Sequence, residues 1–231
     1  TALATGTKIL NKDTWYYLEF KLLAANAGGV AEVRIDGVVD VTFSGDTQNN
    51  ANDSITKLYV GNFNDVPTGM LVDDFYCLNS DGTSNNTYLG EVVSELVYPT
   101  GDNSVAWSRN TGLDNYALVD DTLGAPDDDT TYVFSSTATQ KDYYNVGNLT
   151  TTDIGSVACV KSNTRAEKSD AGATTFKHGV KTGAEADNQS AALGPGVGYS
   201  NFIDYFEESS AGNSWTEAKV NAMLLSLELI S

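Results

Sequence analysis

The stretch Trp15-Tyr16-Tyr17-Leu18-Glu19-Phe20-Lys21-Leu22 places Tyr16, Leu18, Phe20 and Leu22 on one side and Trp15, Tyr17, Glu19 and Lys21 on the other. A repeat of two predicts a half-buried strand. Working outward, Ala31, Val33 and Ile35 alternate, Asp36-Gly37 offers two residues tolerant of positive φ for a tight hairpin, and Val39, Val41 and Phe43 resume the pattern. After a polar loop over 45–54, Thr56, Leu58 and Val60 alternate within 55–61, and a further strand is expected over Leu71–Leu78. This first part reads as five short strands without a helix.

The run Asn79-Ser80-Asp81-Gly82-Thr83-Ser84-Asn85-Asn86-Thr87 has no apolar residue, which places a domain boundary near Thr87. Beyond it, strands are expected over Leu89–Tyr98, Tyr116–Val119, Thr131–Ser135, Tyr143–Val146, Ile154–Lys161 and Thr174–Lys181, separated by turn residues. Strands at this spacing with no helical pattern between them argue for antiparallel packing. At the end, Ser214-Trp215-Thr216-Glu217 reads as a capping box, and Val220, Met223, Leu224 and Leu227 follow at helical spacing, predicting a short helix over about Trp215–Ser226. Leu227-Glu228-Leu229-Ile230 can instead leave as a terminal strand. The expected fold is all-β: two antiparallel β-sandwich, jelly-roll-like domains (1–87 and 88–231) and one short C-terminal helix.

Length and composition narrow the function. A chain of 231 residues suffices for one large or two ordinary domains. Its formal charge of −18 disfavours nucleic acid and anionic lipid as partners. Neither part escapes this, because five basic and eleven acidic residues leave −6 in 1–87, while eight and twenty leave −12 in 88–231. Hydrophobic residues at 41% are enough for a packed core. No apolar run is long enough to span a membrane, and no signal segment opens the chain. One histidine, His178, removes zinc sites built on several imidazoles and leaves little histidine-based acid–base chemistry.

Candidate chemistry is sparse. Asp127-Asp128-Asp129 is oxygen-rich enough for calcium but lacks the spacing of a binding loop, so a solvated turn is expected. Asp73 and Asp74 point to opposite faces of their expected strand, and a hydrogen bond from a neighbouring loop is the expected role for one of them. His178 reads as a strand-end residue, with no Gly-x-Ser-x-Gly elbow elsewhere. Gly194-Pro195-Gly196-Val197-Gly198 lacks the lysine and the strand–loop–helix setting of a phosphate loop. Cys77 and Cys159 read as two buried thiols, with a bridge between them the alternative that their spacing leaves open. Glycosylation triplets begin at Asn52, Asn85, Asn148 and Asn188. Trp15, Tyr16, Tyr17, Tyr143 and Tyr144 are candidate sugar-stacking rings, with core packing the competing role. No catalytic, cofactor-binding or metal residue is assigned.

Two stretches carry a resemblance. Residues 8–78, through Trp15-Tyr16-Tyr17-Leu18-Glu19, Val33-Arg34-Ile35-Asp36-Gly37, Leu58-Tyr59-Val60-Gly61 and Val72-Asp73-Asp74-Phe75-Tyr76, resemble the later strands of concanavalin A-like (laminin-G-like) jelly rolls. Leu89-Gly90-Glu91-Val92-Val93, Tyr98-Pro99-Thr100-Gly101-Asp102, Asn115 to Asp120, Asp129 to Val133 and Ser214 to Ala218 are similar to the C-terminal part of structural proteins from tailed-bacteriophage particles. The resemblance implies a non-enzymatic virion component on the head or tail surface. Its implied partners are other virion proteins and copies of itself, a trimer being the form considered, with host surface glycan as a further partner. Strands that precede Thr1 in a complete jelly roll are expected from an upstream segment or a neighbouring subunit. The rival readings are a secreted or cell-surface carbohydrate-binding module and a glycan hydrolase with paired carboxylates.

Overall fold

Asp36 and Gly37 sit at φ 52° and 75°, the left-handed pair that a two-residue hairpin needs, and they join two strands of the computed structural model as the sequence predicts. The structure describes residues 2–48, 54–55, 57–60, 69–81, 83–152 and 154–231. Its fold is all-β, with several antiparallel sheets and one short α-helix among the described residues. The chain divides into two compact units, Thr1–Ser94 and Glu95–Ser231.

In the first unit, β1 (Leu18–Leu23), β2 (Gly29–Ile35) and β3 (Val38–Gly45) form a three-stranded antiparallel sheet. Its register sets Leu18 opposite Ile35 and Val38, Phe20 opposite Val33 and Val41, and Leu22 opposite Ala31 and Phe43. Directly opposed residues share a face, so these nine side chains form one apolar surface. Glu19, Lys21, Glu32 and Arg34 occupy the other. The predicted strand over 55–61 includes Thr56 and Gly61, which lie outside the described residues, and its described part forms no ladder. Leu71–Leu78 forms none either. There Asp74 adopts φ 50° and its Oδ1 accepts the Ser94 amide at 2.7 Å, so the extended run is broken and tied to a loop instead.

The second unit contains β4 (Pro99–Ser104), β5 (Ser108–Arg109), a 3-10 turn (Asn115–Leu118), β6 (Val133–Phe134), β7 (Lys141–Val146), β8 (Val160–Ala166) and β9 (Phe176–Thr182). They are followed by β10 (Asn188–Gln189), β11 (Ser200–Phe206), β12 (Glu208–Ser210), β13 (Asn213–Ser214), α1 (Glu217–Asn221) and β14 (Met223–Leu229). A five-stranded sheet runs in the order β10-β9-β14-β7-β4, and β8 pairs with β11 as a separate ribbon. Val146, Val180, Phe206, Trp215, Val220 and Met223 form the core cluster. Trp215 buries its ring there and donates Nε1–H to the Phe206 carbonyl at 2.7 Å.

The strand expected over Ile154–Lys161 is realised only from Val160, as β8, and three further elements differ from expectation for physical reasons. The helix is only Glu217–Asn221, capped by the Thr216 hydroxyl rather than by Ser214. Met223–Leu229 continues as β14, with β7 and β9 hydrogen-bonded on either side. Met223, Leu225, Leu227 and Leu229 share one face of β14 and Ser226 and Glu228 the other, and it is the outward Leu224, together with Val220 before the strand, that mimics helical spacing. Tyr116–Val119 turns instead of extending, because the two carboxylate oxygens of Asp102 accept the Asn115 and Tyr116 amides at 3.1 and 2.7 Å. The ladder begins at Pro99 rather than ending before it, since proline is compatible with the first residue of an edge strand.

Gly179 is required by a close approach. The β10 edge passes so near Gly179 that a Cβ there would lie 2.4 Å from the Asn188 carbonyl oxygen, whereas a Cβ on Gly147 would meet nothing nearer than 3.8 Å. Gly179→Ala is therefore expected to cost about 1–3 kcal/mol in urea unfolding while Gly147→Ala costs much less. Equal unfolding midpoints for the two variants would contradict this packing.

Candidate functional site

His178 lies in the middle of β9, 1% exposed, rather than at a strand end. The alternation of β9 aims it across the core at the β8–β11 ribbon, where Ser162 and Thr164 of β8 and Asp204 of β11 face inward. Nδ1 is 3.1 Å from the Ser162 hydroxyl and 2.8 Å from the Thr164 hydroxyl, and Nε2 is 2.8 Å from Asp204 Oδ2. The rings of Phe176 and Phe206 flank the imidazole edge-on at 6.4 Å between centroids. A serine, a histidine and an aspartate are thus connected, as in an acyl-transfer triad, but access runs the wrong way for one. Ser162 is 7% exposed, while the carboxylate end is the open one at 36%. Two hydroxyls also share the single Nδ1, which splits rather than focuses the pull on either proton. The arrangement acts as a pin between the two layers.

Elsewhere acidic side chains are also committed to structure. Glu19 is 5% exposed in the first unit and accepts from the Tyr76 hydroxyl at 2.5 Å and the Gly90 amide at 3.2 Å. Burial pushes its pKa up, but hydrogen bonds from Tyr17, Tyr76 and Gly90 and the Arg34 charge outweigh this and hold it below the ordinary carboxylate value. Asp127, Asp128 and Asp129 diverge. Asp127 bonds the Thr131 hydroxyl and amide, Asp128 pairs with Arg165, and Asp129 accepts from the Tyr199 hydroxyl. Three neighbours with three separate partners do not form a cation cage, and no cluster of metal-ligating side chains occurs among the described residues. Asp73 Oδ1 caps the Asp74 amide, and Asp74 holds the Ser94 amide.

The outer face of the five-stranded sheet carries an ionic network. Lys141 on β7 lies 2.9 Å from Asp187 and 2.7 Å from Glu228 on β14, and the Tyr143 hydroxyl donates to Asp187 at 2.6 Å. Lys181 is 3.5 Å from Asp187, and Gln189 donates to Glu228 at 2.9 Å. Burial raises the pKa of Asp187, but its bonds from Tyr143 and Lys141 win and set it below the usual range; Glu228 is lowered in the same way by Lys141 and Gln189.

The candidate stacking rings separate by environment. Tyr144 is buried and donates to Asp142, Tyr143 belongs to the ionic network, and Tyr17 shares its hydroxyl with Tyr76. Tyr16 accepts the Asn11 amide, leaving Trp15, 68% exposed, as the open ring of the five. Cys77 and Cys159 are free and exposed, not buried. The Gly194–Gly198 segment is a loop whose Gly196 carbonyl accepts the Lys168 amide. Asn188 directs its side-chain nitrogen to the Glu208 carbonyl, Asn148 is exposed, and Asn52 lies outside the described residues.

The apolar surface of the three-stranded sheet is the feature that periodicity located without deciding which side is covered. Leu18 is 57% and Phe20 59% exposed, whereas Glu19 between them is buried. Hydrophobic alternation identifies a face; hydrogen-bond partners remote in sequence, Tyr76 and Gly90, decide which side is covered. No helix among the described residues is long and apolar enough to cross a membrane. No protein-family model, curated protein or solved structure matches the chain.

The lowered carboxylates give a pH dependence with a definite sign. A folded pKa below the unfolded one contributes stability in full above the unfolded value and loses it as pH falls through the folded value. Asp187→Asn is therefore expected to lower the thermal midpoint at neutral pH and to narrow its gap to wild type below roughly pH 4. A gap that stays constant across thermal scans from neutral to acid pH would contradict the network.

Proposed function

We propose that the protein is a structural component of a tailed-bacteriophage particle, on its head or tail surface, that works by assembly with copies of itself and with other virion proteins. The observation that carries this reading is the exposed apolar face of the three-stranded sheet, on which Leu18, Phe20 and Val38 are all more than half exposed. Contiguous apolar surface of this kind is characteristic of interfaces, because covering it removes area from water at about 25 cal/mol per Å2. The order of short motifs along residues 8–78 and 89–218, similar to jelly-roll and phage structural proteins, supports the particle as the setting. A closed symmetric oligomer suits a surface component, since repeated copies turn weak individual contacts into avidity.

Light scattering coupled to size-exclusion chromatography tests this reading. The wild-type protein is expected to run as a multimer, and the double variant Leu18→Ser/Phe20→Ser as a smaller species with unchanged circular dichroism. A wild-type monomer at every concentration reached, or a multimer indifferent to both substitutions, would overturn it.

A further inference from the structure

Between β4 and β5, at the edge of the five-stranded sheet, the chain opens a cleft of about 460 Å3 lined by Asp102, Val105, Trp107, Ser108, Arg109 and Asn115. Sites for small molecules fall in the range of roughly 300–1,000 Å3 and combine an apolar wall with a few fixed polar groups. Here the polar groups are held from behind. Asp142, fully buried, accepts the amides of Ala106 and Trp107 at 2.6 and 2.8 Å, the Asn115 side chain at 3.0 Å and the Tyr144 hydroxyl at 2.6 Å. Asn115 is itself 3% exposed and donates to the Trp107 carbonyl at 3.1 Å. The Trp107 indole donates Nε1–H to the Gln140 carbonyl at 3.1 Å, which fixes the ring. A lining set in advance loses little freedom on binding.

We propose that this cleft binds a neutral saccharide, with a pyranose ring against Trp107 and its hydroxyls on Asp102, Ser108 and Arg109. The charges on the cleft are already answered within the protein, which selects against an ionic ligand. Each Asp102 oxygen takes one backbone amide, and Arg109 donates to the Leu113 carbonyl at 2.9 Å and lies 3.5 Å from Asp114. What remains is spare hydrogen-bonding capacity: a second lone pair on each carboxylate oxygen, further guanidinium donors, and a hydroxyl that donates or accepts. A vicinal diol uses such a mixed set, and its apolar ring face suits an aromatic wall. The net charge of −18 further disfavours anionic ligands. This inference stands apart from the assembly reading, since oligomerisation and sugar binding are measured separately.

The test is titration of the isotope-labelled full chain with methyl glycosides of glucose, galactose, mannose and N-acetylglucosamine, and with glycine as a zwitterionic control, followed by amide spectra. At least one glycoside is expected to shift amides within residues 102–116, with a dissociation constant on the order of millimolar, as a small open site gives. Ser108→Ile, which fills the cleft without adding a stacking ring, should weaken that binding about tenfold, the scale of one lost hydrogen bond. Its unfolding midpoint and molar mass should match wild type; if it does not fold, Arg109→Ala is read in the same way. No response to any glycoside up to its solubility limit, shifts confined to other residues, affinity indifferent to the cleft variants, or a response to glycine alone would each overturn the proposal, whatever the oligomeric state.

Discussion

The fold of the larger unit depends on one hydrogen-bonded bridge, from the Ser162 and Thr164 hydroxyls through the His178 ring to the Asp204 carboxylate. The bridge joins a strand of the five-stranded sheet to both strands of the opposing ribbon, and its register is tight: Ser162 and Asp204 are direct cross-strand partners. Polar side chains inside a core destabilise it unless they are paired, so the only stable docking of ribbon on sheet is the one in which both ring nitrogens meet their partners. Apolar contacts alone, through Val146, Val180, Phe206 and Met223, supply cohesion but tolerate small slips. The bridge makes the layering unique.

The same device recurs wherever this acidic chain turns a carboxylate inward. Glu19 is held by tyrosine hydroxyls and a backbone amide, Asp142 by two amides, an asparagine and a tyrosine, and Asp102 by the two amides that start the 3-10 turn. Each organises a segment distant in sequence, for a carboxylate with several donors fixes the backbone of all of them. The acidic residues so placed act as fasteners, and among the groups that face solvent are the apolar side chains of one sheet and the mixed lining of one cleft. Such a molecule is built to present surfaces, which is the physical content of the assembly and recognition roles proposed for it.

The sequence made the local geometry legible and left the long-range pairing hidden. Period-two alternation located β1, β2 and β3, and Asp36-Gly37 marked their hairpin, because a strand face and a positive-φ turn depend on adjacent residues. It also placed β7 and β9 closely, yet missed β11, where Asp204 interrupts the apolar side of Phe202 and Phe206 and conceals an inward face. The C-terminal run from Val220 to Leu227 looked helical because the outward Leu224 falls at helical spacing with Val220, Met223 and Leu227, while the pairing that makes it a strand comes from β7 and β9, remote in sequence. Likewise His178 looked peripheral while its three partners lay 14 to 26 residues away along the chain. The Asp102–Trp107–Asn115 cleft had no sequence signal, since its residues converge only after Asp142, remote in the chain, gathers their amides.

Because the chain has a single histidine, one nitrogen-15 imidazole spectrum tests the bridge without assignment ambiguity. With Asp204 accepting at Nε2 and the hydroxyls donating to Nδ1, the neutral ring must carry its proton on Nε2 and exchange it slowly with water. The account predicts that tautomer alone in mildly alkaline buffer, with a protected Nε2–H. A ring protonated on Nδ1, or one whose proton exchanges as fast as that of free imidazole, would show that the two layers are not pinned at His178.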